Sequence, residues 1–234
     1  MTQHSGFIWS RSAWLGTAAL ALVASLSAVP LAEAQRHPVS GRVIAQVMGY
    51  EGANWLERPE REDEEQPSKA IRALNIKAGQ VVADVGAGSG YYTVRLAKQV
   101  GPIGRVFATD IQPEMLSLLK KRLSRERLDN VELVLATDVD PRLPEGQLDL
   151  ILMVDVYHEL ARPQEVLRKL RAALKPDGRL VLIEYRKESA WVPIREEHKM
   201  SVKEARMELE AEGYRFDRVI DVLPWQHILV FLKR

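Results

Sequence analysis

Between residues 81 and 185, short apolar runs alternate with stretches whose apolar side chains recur every three or four positions, and this alternation constrains the fold most. Val81-Val82-Ala83-Asp84-Val85, after the turn Lys77-Ala78-Gly79-Gln80, predicts a first strand. Residues 91–100 predict a helix ended by Gly101, Pro102 and Gly104. Residues 105–109 predict a second strand, and 113–125 a second helix whose apolar side is Leu116, Leu119 and Leu123. A third strand is expected over 131–136 and a fourth over 148–154. The helix of 162–174 follows, with Pro163 suited to its first position, and Lys175-Pro176-Asp177-Gly178 predicts a turn before a fifth strand at 179–184. The strands read as continuous apolar runs and not as clean alternation, which indicates a parallel sheet covered on both faces.

The tail breaks this rhythm. After a helix expected over 202–212 and the breaker Gly213, the strand candidates 216–222 and 227–231 lie too close together for a crossover helix, so they form an antiparallel hairpin. The fold class is therefore α/β, a doubly wound, seven-stranded, mostly parallel sheet with a C-terminal antiparallel hairpin. No period of 20 to 50 residues recurs, which argues against a solenoid.

The first 34 residues differ from all that follows. Arg11 precedes an apolar run over 13–29, and Pro30 leads into Ala32-Glu33-Ala34, the pattern of a secretory signal with a small-x-small cleavage site. A secreted or periplasmic location is expected, with membrane contact only if this segment is retained. Residues 35–67 form a polar lead-in that would lie over a cofactor, and 68–234 the main domain. Within the lead-in, the acidic run of residues 60–65 reads as a solvated helix face or loop. With 33 basic against 32 acidic residues, no broad positive field invites nucleic acid. The absence of cysteine excludes disulfides, thiolate metal sites and a cysteine nucleophile.

Asp84-Val85-Gly86-Ala87-Gly88-Ser89-Gly90 closes the first strand and opens the first helix, where glycines let backbone approach a ligand at the carboxyl end of the sheet. The dinucleotide fingerprint wants a third glycine at position 91, which is Tyr91, and no Lys-Ser or Lys-Thr follows to clasp a triphosphate. Asp110 ends the second strand, 24 residues after Gly86, where a carboxylate can accept both hydroxyls of an adenosine ribose.

These motifs, together with Asp110-Ile111-Gln112-Pro113-Glu114-Met115, residues 148–159 and Leu174-Lys175-Pro176-Asp177-Gly178-Arg179-Leu180, resemble in their order the class I S-adenosylmethionine-dependent methyltransferases, and among them those acting on small molecules. The likeness covers roughly residues 70–234 and implies the Rossmann-like methyltransferase fold. It also implies S-adenosylmethionine as cofactor and a small-molecule substrate. By that resemblance Gly86, Gly88 and Gly90 wrap the methionine end, Asp84 stands at its ammonium side, Asp110 takes the ribose hydroxyls and Ile111 packs near the adenine. The acid facing the adenine amine falls on Asp138, with Asp140 close in register.

Methyl transfer needs no protein nucleophile, only alignment and exclusion of water. The candidate catalytic residues are Asp155, Tyr157 and His158, after the fourth strand. His158 is expected to act as general base or as an orienting partner. Glu184, Tyr185, Arg186, His198 and His227 complete the polar set at that end of the sheet. Asp155, His158 and Glu159 also offer metal ligands, but the set lacks the dense carboxylates of a magnesium site, so no metal is expected. A binding or scaffolding protein without turnover, or an NAD-dependent oxidoreductase, are the competing functions. Tyr91 weighs against the second.

Overall fold

The computed structural model describes residues 34–234. The expected signal segment therefore lies outside the described residues, except for Ala34. Among the described residues no helix is long and apolar enough to cross a membrane.

Eight strands form one sheet: β1 (Val81–Val85), β2 (Arg105–Asp110), β3 (Val131–Leu135), β4 (Leu148–Val154), β5 (Leu174–Arg186), β6 (Lys199–Met200), β7 (Tyr214–Ile220) and β8 (Gln226–Lys233). Their order is β3-β2-β1-β4-β5-β8-β7, with the two-residue β6 paired to β5 off this path. All pairings are parallel except those of β8, which runs antiparallel to both β5 and β7. The doubly wound sheet and its final hairpin are as the strand spacing predicts. The extra strand, β6, is too short to leave a periodic trace in sequence.

The apolar runs divide their side chains between two faces. Ile151, Met153, Leu180 and Leu182 pack with Val166, Leu167 and Leu170 of α6 (Pro163–Ala173) and Leu209 of α7 (Val202–Ala211). Leu150, Leu152, Val181 and Ile183 pack on the other side with Leu96 and Val100 of α4 (Tyr91–Val100) and Ile71 of α3 (Pro67–Ala73). Each such side chain contributes roughly 1.5–3 kcal/mol when fully buried, so central strands apolar at nearly every position follow from coverage on both faces. On the second helix of the alternating core, α5 (Pro113–Glu126), Leu119 and Leu123 pack against Ala108 and Val94.

Two expectations need correction. Residues 175–178 do not separate α6 from β5; they form an irregularity inside it, because Leu148 pairs with Leu174 while Leu150 already pairs with Arg179. Lys175 meets the Asp149 carboxylate at 2.6 Å, and an added Cβ at Gly178 would sit 2.6 Å from the Leu148 carbonyl oxygen, so glycine permits this close approach. The acidic run is also only partly solvated. Glu62 and Asp63 of α2 (Arg61–Glu65) are exposed, but Glu65 is fully buried. It accepts from Arg61 Nε at 2.7 Å, Arg58 Nη2 at 2.6 Å and Tyr185 Oη at 2.9 Å.

Candidate active site

The carboxyl ends of β1, β2 and β4 open into one cavity of about 580 Å³, within the range of small-molecule and cofactor sites. One side is made by the loops after β1 and β2. Gly86 has φ +72° and Gly90 φ +88°, conformations that side chains other than glycine's rarely tolerate. A Cβ on Gly86 would come within 2.5 Å of the Val156 side chain, and one on Gly90 would collide with Leu119. Gly88 N donates to Asp110 Oδ2 and Gln112 N to Asp110 Oδ1, each at 2.9 Å, so both carboxylate oxygens are pinned by backbone while keeping lone pairs for a ligand. Burial pushes the Asp110 carboxyl up, and the bonds from Gln112, Gly88 and Ile111 pull it back. Beside it Ile111 is 44% exposed, an apolar side chain left uncovered at the cavity wall.

The other side is assembled from distant segments. Asp155 follows β4 in the left-handed region, φ +52°, and its Oδ2 accepts from Gln226 Nε2 at 2.7 Å. Burial, reinforced by the charges of Glu65 and Glu184, raises the Asp155 carboxyl well above its ordinary range, and its Oδ1 has no partner among the described residues. The 3-10 turn Tyr157–Glu159 presents His158, whose Nδ1 lies 2.6 Å from Glu184 Oε2 and whose Nε2 lies 3.1 Å from His198 Nδ1. The other Glu184 oxygen accepts from Tyr157 N at 3.0 Å, so this carboxylate is fully committed to positioning the turn. Glu159 Oε1 stands 3.8 Å from His158 Nε2 and 3.7 Å from His198 Nδ1, and burial pushes the Glu159 carboxyl up to about 7.

The lead-in closes the cavity from above. Val47, Met48, Trp55, Leu56 and Arg61 line it. Ala45 N donates to the His158 carbonyl at 3.1 Å and Gln112 Nε2 to the Met48 carbonyl at 3.0 Å, so this segment is tied to both sides. Glu57 accepts from Ser89 in the glycine turn and from Arg122.

Comparison with known proteins sets this geometry in a family. Residues 83–180 match a family described as a methyltransferase domain. A crystal structure described as a SAM-dependent methyltransferase from Aquifex aeolicus superposes with a TM-score of 0.76 at 30% identity, covering 80% of this chain and 100% of that one. The chain belongs to the S-adenosylmethionine-dependent methyltransferases. Among curated relatives, a ubiquinone/menaquinone biosynthesis C-methyltransferase of Cupriavidus metallidurans is 31% identical over 128 residues, covering 53% of this chain and 50% of that protein. A demethylmenaquinone methyltransferase of Halalkalibacterium halodurans is 30% identical over 114 residues, 49% of this chain and 46% of that protein. The chain thus spans about half the length of the curated relatives it matches.

In this family member the residues singled out from sequence fall into two groups. Gly86, Gly88, Asp110, Ile111, Asp155, His158, Tyr185 and His198 all line the cavity. Asp84 lies behind the wall, where its Oδ2 accepts from Thr93 Oγ1 at 2.6 Å and burial pushes its carboxyl up to about 6. Gly90 serves the start of α4 and does not reach the cavity. Ala136 and Thr137 line the wall, whereas neither Asp138 nor Asp140 does; Asp140 is engaged by Arg142 N and lies 3.5 Å from Lys169.

Tyr157 requires correction as a catalytic candidate. It is fully buried in the core beside Val166 and Leu167, with the Arg42 guanidinium 5.4 Å from its ring, because the 3-10 turn sends successive side chains to different sides of the backbone. Arg186 pairs with Asp221, and the buried His227 does not line the cavity. Glu159, named from sequence as an available metal ligand, lines the cavity, whereas sequence reasoning missed Arg61 and Glu65 as parts of the site. The one signal for the last two was the i,i+4 spacing of Arg61 and Glu65 within the charge run.

Proposed function

We propose that this chain transfers the methyl group of S-adenosylmethionine to a small molecule that has an apolar body and an ionisable oxygen or an adjacent carbon as nucleophile. The observation that carries this reading is the Asp110 carboxylate, fixed by two backbone bonds beside the uncovered Ile111 and the glycine turn. The cofactor supplies an electrophilic sulfonium methyl. Asp110 would accept the ribose hydroxyls, Ile111 would cover one face of the base, and Gly86 and Gly88 would let backbone approach the methionine end. An exposed carboxylate alone would do the first of these poorly, since its charge would be shared with water.

On the acceptor side, Val47, Met48, Trp55 and Leu56 offer apolar contact and exclude water, while His158, Glu159 and His198 offer a polar end. Both His158 nitrogens face partners, so its part is to orient, and His198, about a quarter exposed, is the imidazole in a position to meet the acceptor. The names of the curated relatives, which refer to quinone biosynthesis, support a flat, hydroxylated ring as the acceptor class. Residues 35–67 act as the cover of the site in this reading. Export remains part of the proposal, with residues 1–34 removed and Gln35 first in the mature chain.

Calorimetry with S-adenosylmethionine and NAD, followed by mass spectrometry of hydroxylated aromatics incubated with isotopically labelled cofactor, tests the reading. Binding of the sulfonium cofactor alone and appearance of labelled, methylated product are expected. Preference for NAD would overturn the cofactor assignment, and tight cofactor binding with no product across the panel would leave a binding protein.

A further inference from the structure

His158, Glu159 and His198 converge in a way that the methyl-transfer reading does not need. His158 Nε2, His198 Nδ1 and Glu159 Oε1 are 3.1, 3.7 and 3.8 Å apart. The nearest point equidistant from three atoms so spaced, in their common plane, lies about 2.1 Å from each, matching zinc bond lengths of about 2.0–2.2 Å to imidazole nitrogen and carboxylate oxygen. The His158 ring is oriented from behind: its Nδ1 donates to Glu184 Oε2 at 2.6 Å, which leaves the lone pair on Nε2, the nitrogen 3.1 Å from His198 Nδ1. Metal-bound histidines are commonly oriented in this way by a carboxylate behind the ring.

We propose that His158 Nε2, His198 Nδ1 and Glu159 Oε1 bind one divalent transition-metal ion of the zinc class at the acceptor end of the cavity. Two imidazoles and one carboxylate suit zinc or its first-row neighbours, whereas magnesium prefers oxygen ligands throughout. Three protein ligands leave a coordination position open, and all three residues line the cavity, so that position faces the space assigned to the acceptor. An acceptor oxygen entering it would be oriented and would lose its proton at lower pH. That consequence rests on the methyltransferase reading; the metal site itself does not.

The sequence-based set of Asp155, His158 and Glu159 fails as a metal site because Asp155 turns to Gln226 and is held where its charge is suppressed. The competing account of the cluster is a chain of hydrogen bonds from Glu184 through His158 to a protonated His198 Nδ1. In that account a proton occupies the place of the ion.

The test uses untagged protein, stripped with a chelator and dialysed, and titrated with Zn2+ against a chromophoric chelator; Co2+ is then added to report coordination by its visible absorption. One equivalent bound per chain is expected, with a Co2+ spectrum of low coordination number. His198→Ala and Glu159→Gln should each weaken Zn2+ at least tenfold, and Glu184→Gln about 10- to 100-fold through the ring it orients. Melting temperature and S-adenosylmethionine affinity, both measured without metal, establish that each variant is folded; His198→Asn replaces any that is not. Less than one equivalent of Zn2+, or variants that bind it as the parent does, would overturn the metal site. Loss of cofactor binding in the parent with stoichiometric Zn2+ retained would instead overturn the methyltransferase reading and leave the metal site standing.

Discussion

In the proposed reading, the cofactor side of the cavity is built from two neighbouring strand ends, with Asp110 held by the backbone of Gly88 and Gln112. The acceptor side draws on the lead-in, the ends of β4 and β5 and the segment before β6, and its charges hold one another: Arg58 and Arg61 on Glu65, and Glu184 on His158. Backbone bonds within a short loop survive most side-chain changes. A buried ion network does not, because removing one member leaves the others charged and desolvated. The two sides should therefore respond to substitution in different ways, one through ligand affinity and the other through stability.

The largest effect is expected on the acceptor side. Glu65 is fully buried against two guanidinium groups and the Tyr185 hydroxyl, so Glu65→Ala should lower unfolding free energy by about 3–5 kcal/mol in urea titrations. Loss of less than about 1 kcal/mol would mean that water or another group already neutralises Arg61, and the contrast between the two sides would fail.

Asp110→Ala is the matching change on the cofactor side. Two charge-assisted hydrogen bonds at about 1.5–3 kcal/mol each, reduced for residual exposure, predict S-adenosylmethionine binding weaker by about 2–4 kcal/mol in calorimetry. Unchanged affinity in a folded variant would place the ribose elsewhere.

Asp84 sharpens the comparison, since it stands in β1 just before the glycine turn and accepts from Thr93 of α4. Its carboxyl is raised from 3.8 to about 6, chiefly by burial. Below the lower value the folded and unfolded chains both hold the proton; between the two, the unfolded chain has lost a proton that the folded chain keeps, so stability falls as pH rises. Above about 6 the loss is complete, about 3 kcal/mol. Asp84→Asn keeps an acceptor for Thr93 and removes the titration, so its stability relative to the parent should climb between pH 4 and pH 7 in denaturant titrations. Parallel curves would show that Asp84 is not buried against its charge.

The same contrast explains what was legible in the sequence. The glycine turn, Asp110 and Ile111 stand in contiguous motifs whose spacing reflects strand-to-helix geometry, so their placement followed from reading along the chain. Asp138 did not reach the wall because β3 ends at Leu135 and the following residues turn through the Thr137 and Asp140 backbone, bringing Ala136 and Thr137 to the cavity instead. On the acceptor side, His158 was legible from its place after β4. Its relation to His198, forty positions away, depends on a two-residue strand and a short turn with no periodic signature. Tyr157 and His158 are adjacent in sequence yet serve the core and the cavity respectively, a division that only the 3-10 turn decides.

The smallest effect tests whether the acceptor side can be loosened alone. Ser201 caps α7, accepting from Glu204 N at 3.1 Å, while the Glu204 side chain accepts from Ser201 N at 3.0 Å. From α7, Glu208 holds Arg42 with contacts of 2.9 and 3.2 Å, and Arg42 in turn donates to the His158 carbonyl at 3.0 Å. The cap thus supports the acceptor side through the helix and the lead-in, without touching the loops after β1 and β2. Ser201→Ala should cost about 1 kcal/mol, a fall in melting temperature of about 2–4 °C for a domain of this size. S-adenosylmethionine affinity should stay unchanged within about twofold, because Asp110 keeps both of its backbone bonds. A tenfold loss of cofactor affinity beside that small thermal shift would show that strain passes from α7 across the sheet to the glycine turn, and the two sides would then have to be treated as one cooperative unit.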